Sequence, residues 1–271
     1  MSDLFSIINQ QLVPQETASL LIKDLSIQRG YGIFDFLKLV DNKPVFLEDH
    51  LARFFYSAAE MRLDISLSGE ELKEQISVLS RKNNLPDSGI RLTLTGGYSA
   101  DGFSLAKPNL LITQQALTFD HDAKGIRLVT YPHQRQFPHV KTIDYLMAVW
   151  LRDYIAKNNG DDVLYHQNGN VTECPRANFF IVNQNDTVIT PASNILKGVI
   201  RKNILSLPDY RIVEREISKE DIHRAKEAFI TSTTKNIMPV NSVDGHVIGN
   251  GLVGEVTRAL QKDLKRIAVQ A

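Results

Sequence analysis

Three charged residues stand where burial would give them chemistry. Lys141 sits where a strand-like approach, Phe137-Pro138-His139-Val140, meets an apolar helical run. An amine buried there loses proton affinity and becomes a nucleophile suited to Schiff bases; the alternative is a surface lysine at a helix start. Glu173 follows 32 positions later, flanked by Val171 and the strong strand Ala177 to Val182, with Pro175 forbidding a continuous ladder. A buried carboxylate calls for a cationic partner, and a protonated pyridine nitrogen is one candidate; the alternative is a solvated strand-edge glutamate. Arg53 lies mid-helix beside apolar positions, from which it either grips an anion through its bidentate fork or snorkels.

Two segments could hold an anion. In ILKGVIRKN (195–203), Gly198 precedes an apolar helical run and exposes backbone N–H groups at a helix start. In TSTTKN (231–236), Ser232, Thr233 and Thr234 cluster hydroxyls and amides after the strand Ala228 to Thr231. Either could equally be an ordinary capped helix start. Gly249-Asn250-Gly251-Leu252-Val253-Gly254 matches the dinucleotide pattern G-x-G-x-x-G, but only 17 residues follow it. That leaves no room for the rest of a βαβ unit, so the glycines are expected to turn the chain into its last helix. H-E-x-x-H, a P-loop lysine and a G-x-S-x-G elbow are absent from the sequence, and no metal site is expected.

The elements that must position these residues read as strands, helix, strands, then a strand–helix mix. Gly32 to Val40 and Pro44 to Phe46 read as strands around the turn Asp41-Asn42-Lys43. Leu51, Phe54, Phe55, Ala58 and Met61 recur at helical spacing over 47–62. Ser68 with Glu71 predicts a capping box. Residues 89–97 and 109–115 read as strands, the first broken at Gly96-Gly97. After a turn-rich stretch come a strand over 125–132, a helix over about 142–157, strands at 162–166, 171–182 and 187–190, and helices at 199–206, 219–226 and 251–268. This predicts two α+β subdomains, 1–117 and 125–271, joined by a linker at 118–124, with Lys141 in the second.

Charge and composition narrow the class. The 271 residues carry 31 Lys+Arg and 31 Asp+Glu, so net charge is zero, which argues against a nucleic-acid or polybasic membrane-surface protein. Hydrophobic residues are 43%, as in soluble globular chains. One cysteine, Cys174, excludes an intrachain disulfide framework and a cysteine-rich zinc site. With neither an apolar run of membrane-spanning length nor a signal-peptide pattern at the N-terminus, a cytoplasmic protein is expected.

In this order the blocks resemble one family. RGYGIFDF (29–36), HLARFFYSA (50–58), KTIDYL (141–146), TECPRANFFIV (172–182), ILKGVIR (195–201) and FITSTTKNIMPV (229–240) are similar to class IV (fold-type IV) pyridoxal-phosphate aminotransferases. That family includes branched-chain aminotransferases, D-amino-acid transaminases and aminodeoxychorismate lyases. The resemblance spans nearly the whole chain. It implies the two-subdomain fold of D-amino-acid aminotransferase-like enzymes, pyridoxal 5′-phosphate as cofactor and a homodimer with the active site between the subdomains. It implies Lys141 as the Schiff-base lysine and proton shuttle at the substrate α-carbon. Glu173 is implied to keep the pyridine nitrogen protonated, Arg53 to clamp the phosphate, Val199 and Ile200 to give it backbone N–H groups, and Thr233 to add a hydroxyl and amide. Tyr145 resembles the tyrosine that bonds the cofactor's ring oxygen in branched-chain enzymes.

Two departures stand out. Ile200 replaces the usual threonine of G-I-T-R, removing one phosphate hydroxyl, and Asp35 stands where many branched-chain enzymes have glutamate. The pocket segments carry Arg29, Arg91 and Arg176, residues that suit carboxylates, together with Tyr31 and Thr234. This set is similar to an atypical D-amino-acid transaminase subgroup in which arginines hold the substrate carboxylate. The expectation is therefore a ping-pong transaminase for D-amino acids such as D-alanine and D-glutamate, working with 2-oxo acids. The alternatives are a branched-chain L-amino-acid aminotransferase and an aminodeoxychorismate lyase.

Overall fold

The computed structural model describes residues 4–118 and 124–270; of the linker expected at 118–124, residues 119–123 lie outside the described residues. The chain divides into two compact units. Among the described residues, one holds 4–118 with Val140–Asp144, and the other holds 124–139 with Tyr145–Gln270.

The first unit contains β1 (Phe5–Ile8), β2 (Gln11–Pro14), α1 (Leu25–Arg29), β3 (Gly32–Val40), β4 (Lys43–Pro44), α2 (Leu47–Glu60), α3 (Gly69–Asn83), β5 (Ser88–Thr95) and β6 (Leu110–Ala116). Its antiparallel strands run β2-β1-β6-β5-β3-β4. Successive strand residues face opposite sides, so one face gathers Ile33, Leu37 and Leu39 with Ile90, Leu92 and Ile112. Leu51, Phe54 and Ala58 of α2 and Leu72, Ile76 and Leu79 of α3 complete that core. Each such Leu, Ile or Phe contributes about 1.5–3 kcal/mol by leaving water, so packing fixes both helices. The predicted capping box is present: Glu71 N–H donates to Ser68 Oγ, and Ser68 N–H to Glu71 Oε2. The strand expected at 44–46 stops at Pro44, because Phe46 adopts a left-handed φ of 54° and turns the chain into α2.

The second unit contains β7 (Ile126–Pro132), α4 (Leu146–Trp150), α5 (Arg152–Lys157), β8 (Asp162–Gln167), β9 (Asn170–Val171), β10 (Glu173–Cys174), β11 (Ala177–Val182), β12 (Val188–Thr190), α6 (Val199–Leu205), β13 (Ile212–Glu214), β14 (Ile217–Ser218), α7 (Lys219–His223), β15 (Glu227–Ser232), β16 (Asn236–Val243), β17 (His246–Val247) and α8 (Glu255–Gln270). The strands run β13-β12-β11-β15-β16-β7-β8-β9-β14, with β10 on β11 and β17 on β16. Parallel pairs (β12 with β13, β16 with β7, β7 with β8) sit among antiparallel ones. Helices and strands mix in both units, an α+β arrangement.

Three expected elements change. The strand over 171–182 is cut into β9, β10 and β11, with Pro175 and Arg176 at a turn. The last helix begins at Glu255 rather than 251, after Gly249 and Gly251 adopt positive φ. The helix over about 142–157 begins only at Leu146 and divides around Leu151, because residues before it pair with β3. Phe34 N–H donates to Lys141 O (2.9 Å), Ile143 N–H donates to Gly32 O (3.0 Å), and Thr142 bridges Ile33. Sequence order counts Lys141 with the second half of the chain; these hydrogen bonds place its segment with the first unit.

Candidate active site

Period-two alternation puts Asp35 on the core face of β3, opposite Leu92 and in line with Ile33 and Leu37. A carboxylate with no solvent exposure must be paired. Helix α2 supplies the partners from positions three apart, which share a helix face. Arg53 donates through Nε to Oδ2 (2.7 Å) and through Nη2 to Oδ1 (2.8 Å), and His50 Nδ1 lies 2.7 Å from Oδ1. The carboxylate can only accept, so Nδ1 carries the hydrogen; Arg53 Nη2 at 3.4 Å from Nδ1 is then a neighbour rather than a donor to it. Burial would raise the Asp35 carboxyl, but the Arg53 guanidinium and His50 overcome it and hold the group well below the usual carboxylate range. His50 is pushed down, first by burial, against the pull of Asp35 and with the charges of Arg53 and Lys141. Its Nε2 is a buried acceptor without a partner among the described residues.

The same helix face anchors the lysine segment. Ser57, one turn after Arg53, accepts a hydrogen bond from Lys141 N–H (3.3 Å). Lys141 Nζ lies 4.5 Å from the centroid of the Phe34 ring, and the Arg91 guanidinium lies 3.9 Å from the same centroid. Arg91 and Lys141 thus share the Phe34 ring, while Arg53 is held by Asp35, the next residue along β3. Tyr31 gives its hydroxyl proton to Met61 O (2.7 Å). Arg29 is exposed, donates to Gln28 O (2.9 Å) and rests on Phe103 (4.5 Å).

In the second unit Glu173 is buried on β10. Arg135 Nη1 donates to its Oε1 (3.1 Å) and to Pro138 O (3.1 Å), while Leu196 N–H donates to its Oε2 (2.9 Å). Helix α6 opens at Gly198 without a side-chain cap, so the amides of Val199 and Ile200 keep the free first-turn geometry of a helix start. Thr233 and Thr234 lie in the turn between β15 and β16, Tyr145 is the half-buried N-cap of α4, and Arg176 is exposed at the β10–β11 turn. The glycine pattern at 249–254 has a structural use. Glu227 accepts from Val256 N–H, Thr257 N–H and Thr257 Oγ at the start of α8, and a Cβ on Gly254 would fall 1.9 Å from Glu227 Cδ. No His/Cys/Asp/Glu cluster among the described residues could hold a metal.

Taken one at a time, these groups suit the parts of a phosphorylated pyridine aldehyde. Arg53 is held through Nε and Nη2, while its Nη1 has no hydrogen-bond partner among the described residues. Uncapped amides at α6 suit an anion, and a buried carboxylate suits a ring N–H. Sequence reading missed Arg135, His50, Ser57 and the position of Phe34. Arg135 carried a usable signal, a charge six residues before Lys141 in the same approach; the others become legible only with strand register.

The chain belongs to the class IV aminotransferases: the model for that family, "Amino-transferase class IV", matches residues 32–243. It is an enzyme of amino-group transfer, and class IV aminotransferases use pyridoxal 5′-phosphate. It is 28% identical over 270 residues to D-alanine aminotransferase of Staphylococcus haemolyticus, covering 96% of each chain. It is 31% identical over 274 residues to the putative branched-chain-amino-acid aminotransferase of Methanocaldococcus jannaschii, covering 96% and 95%. The fold matches the branched-chain aminotransferase of the archaeon Thermoproteus uzoniensis, solved with norvaline, at a TM-score of 0.89 and 23% identity over 99% and 96% of the two chains. Its α+β fold is therefore that of the fold-type IV aminotransferases.

Proposed function

We propose that the protein is a transaminase that takes D-amino acids, with D-alanine and D-glutamate as the leading donors and pyruvate or 2-oxoglutarate as acceptors. The observation that supports the reading is the Phe34 ring, on which both the Arg91 guanidinium and the Lys141 amine rest, at 3.9 Å and 4.5 Å from its centroid. A cation on the same ring as the amine that works on the α-carbon suits a substrate carboxylate. Arg29 and Arg176 extend the arginine set, with Tyr31 and Thr234 as further pocket residues, and the D-alanine aminotransferase relatives support this choice.

Bound pyridoxal phosphate supplies an aldehyde for amine capture and a ring that withdraws electrons. Lys141 Nζ would hold the group covalently until a substrate amine displaces it, and the freed amine would then move the proton at the substrate α-carbon. Glu173, gripped by Arg135 and Leu196 N–H, keeps the proton on the ring nitrogen. Arg53, fixed in orientation by Asp35, offers Nη1 to the phosphate. Val199 and Ile200 add backbone N–H groups, Thr233 a hydroxyl, and Tyr145 a hydrogen bond to the ring oxygen. Two half-reactions through one site make the kinetics ping-pong.

A second reading, a branched-chain L-amino-acid aminotransferase, draws on Tyr145 and on the 31% identity to the archaeal relative. The test is the half-reaction. Loaded protein is mixed separately with D-alanine, D-glutamate, L-leucine and L-glutamate while the cofactor absorbance is followed. Bleaching by D-amino acids alone supports the first reading; bleaching by L-leucine or L-glutamate alone overturns it in favour of the second. A yellow protein that none of them bleaches points to a lyase. The protein is also proposed to work as a cytoplasmic homodimer. Leu146, Val149 and Trp150, all more than 60% exposed along α4, are the apolar surface that a second copy would cover; sedimentation as a monomer at working concentration would refute that.

A further inference from the structure

Glu173 and Asn178 face each other across the β10–β11 hairpin. Both side chains reach the same loop, Ile195 to Gly198. Asn178 Nδ2 donates to Leu196 O (2.6 Å), Gly198 N–H donates to Asn178 Oδ1 (3.2 Å), and Leu196 N–H donates to Glu173 Oε2 (2.9 Å). The peptide units of Leu196 are thus gripped on both sides, its carbonyl by Asn178 and its amide by Glu173. Asn178 itself is 4% exposed. Its amide cannot be reversed, because one end must donate to a carbonyl and the other must accept from an N–H. Gly198 has ordinary backbone angles, φ −66° and ψ 146°, so no left-handed conformation demands glycine there. What demands it is Asn178, whose Oδ1 would lie 2.2 Å from a Cβ at that position. The loop, the asparagine and the glycine form one fitted brace.

From this we infer that Asn178 is a positioning residue, acting through the Leu196 amide to hold the Glu173 carboxylate in the orientation that grips the cofactor's ring. The inference rests on the proposed placement of Glu173 against the ring nitrogen. Asn178 does not touch the reacting atoms. It fixes the carbonyl of Leu196, and so the residue whose N–H, in the preceding peptide unit, holds one of the two carboxylate oxygens. Without it, Leu196 is free to rotate its amide away, and Glu173 keeps Arg135 while losing the second point that sets its plane.

A double-mutant cycle separates this role from general support of the fold. Dissociation constants for pyridoxal 5′-phosphate are measured on full-length apoprotein for wild type, N178A, E173Q and the double variant, together with the absorbance maximum of each loaded form. N178A alone is expected to weaken binding about tenfold, the effect of losing one hydrogen bond to a charged group. It is expected to shift the absorbance maximum in the same direction as E173Q, by less. In the E173Q background it should cost less than about threefold, because the group it positions is already disabled. Equal losses in both backgrounds, or an unmoved absorbance maximum in N178A, would assign Asn178 to structure alone and overturn the inference. If E173Q itself leaves affinity and absorbance unchanged, the placement of the ring at Glu173 fails, and the inference falls with it. Should N178A not fold, G198A strikes the brace from its other end with Asn178 intact, and must give the same absorbance shift.

Discussion

Each unit buries one carboxylate of the candidate site, and the two are satisfied differently. Asp35 sits on the nine-residue strand β3 and takes its partners from a single 14-residue helix, with Phe36 N–H adding a local bond. Glu173 sits on a two-residue strand and takes its partners from two loops, one through Arg135 and one through Leu196. The first arrangement is an ionic cluster inside a packed core, where removing a partner strands a charge in a dry place. The second is a hydrogen-bonded brace between loops, where removing a partner loosens an orientation. The first should therefore be read out in stability and the second in chemistry.

The largest effect is expected at the lysine. K141A should lose at least about three orders of magnitude in turnover while melting near wild type; normal turnover would end the transaminase reading. Next comes the pair D35A and E173Q. D35A leaves Arg53 and His50 without their counter-charge, which should cost about 3–5 kcal/mol and lower Tm by about 2–4 °C per kcal/mol. E173Q should leave Tm within a few degrees and reduce the half-reaction rate by about a hundredfold or more. Reversed outcomes, a cold-melting E173Q and a stable D35A, would break the comparison.

The pH dependence of stability sharpens it further. The Asp35 carboxyl is held below its unfolded value, so its contribution is complete above about pH 4, the unfolded carboxylate range, and is lost as pH falls from there. His50 is also held below its unfolded value of about 6.5. The unfolded chain then binds a proton that the folded chain refuses, so stability falls as pH drops below about 6.5. H50Q should flatten that acid limb by up to about 1.4 kcal/mol per pH unit, measured by urea melts between pH 5 and 8. The smallest effect is expected at the α6 start. I200T would restore a hydroxyl near the proposed phosphate site and slow cofactor release by less than about tenfold. It would also cost about 1 kcal/mol of packing, since Ile200 is buried.

Much of this was legible in the sequence, and what was not has a physical reason. Helix α2, the Ser68 capping box and strands β3, β5 and β6 carry local signals, periodicity and side-chain caps, that survive packing. The roles proposed for Lys141, Glu173 and Arg53 rest on the resemblance carried by the order of the blocks along the chain; residue type alone left each open. The helix start near 142 was misplaced because β-pairing to Ile33, more than a hundred residues earlier, overrides local helical preference. Asn178 escaped notice because its value lies in a partner 18 residues away, and the charge of Arg135, visible before Lys141, gave no hint of its partner 38 residues on. Asp35 could be flagged only as a departure from a pattern; its register opposite Leu92 is what reveals it as the anchor of Arg53.

The five residues Val140 to Asp144 belong by contact to the first unit, yet the chain reaches them from the second and returns to it at Tyr145. A gene fragment stopping at Thr118 therefore encodes a first unit missing the piece that hydrogen-bonds along Gly32 and Phe34. Neither half is a cassette. Recombination that exchanged one half between related enzymes would carry Lys141 with one partner and leave its docking site, the backbone of Gly32 and Phe34 and the Ser57 hydroxyl, with the other.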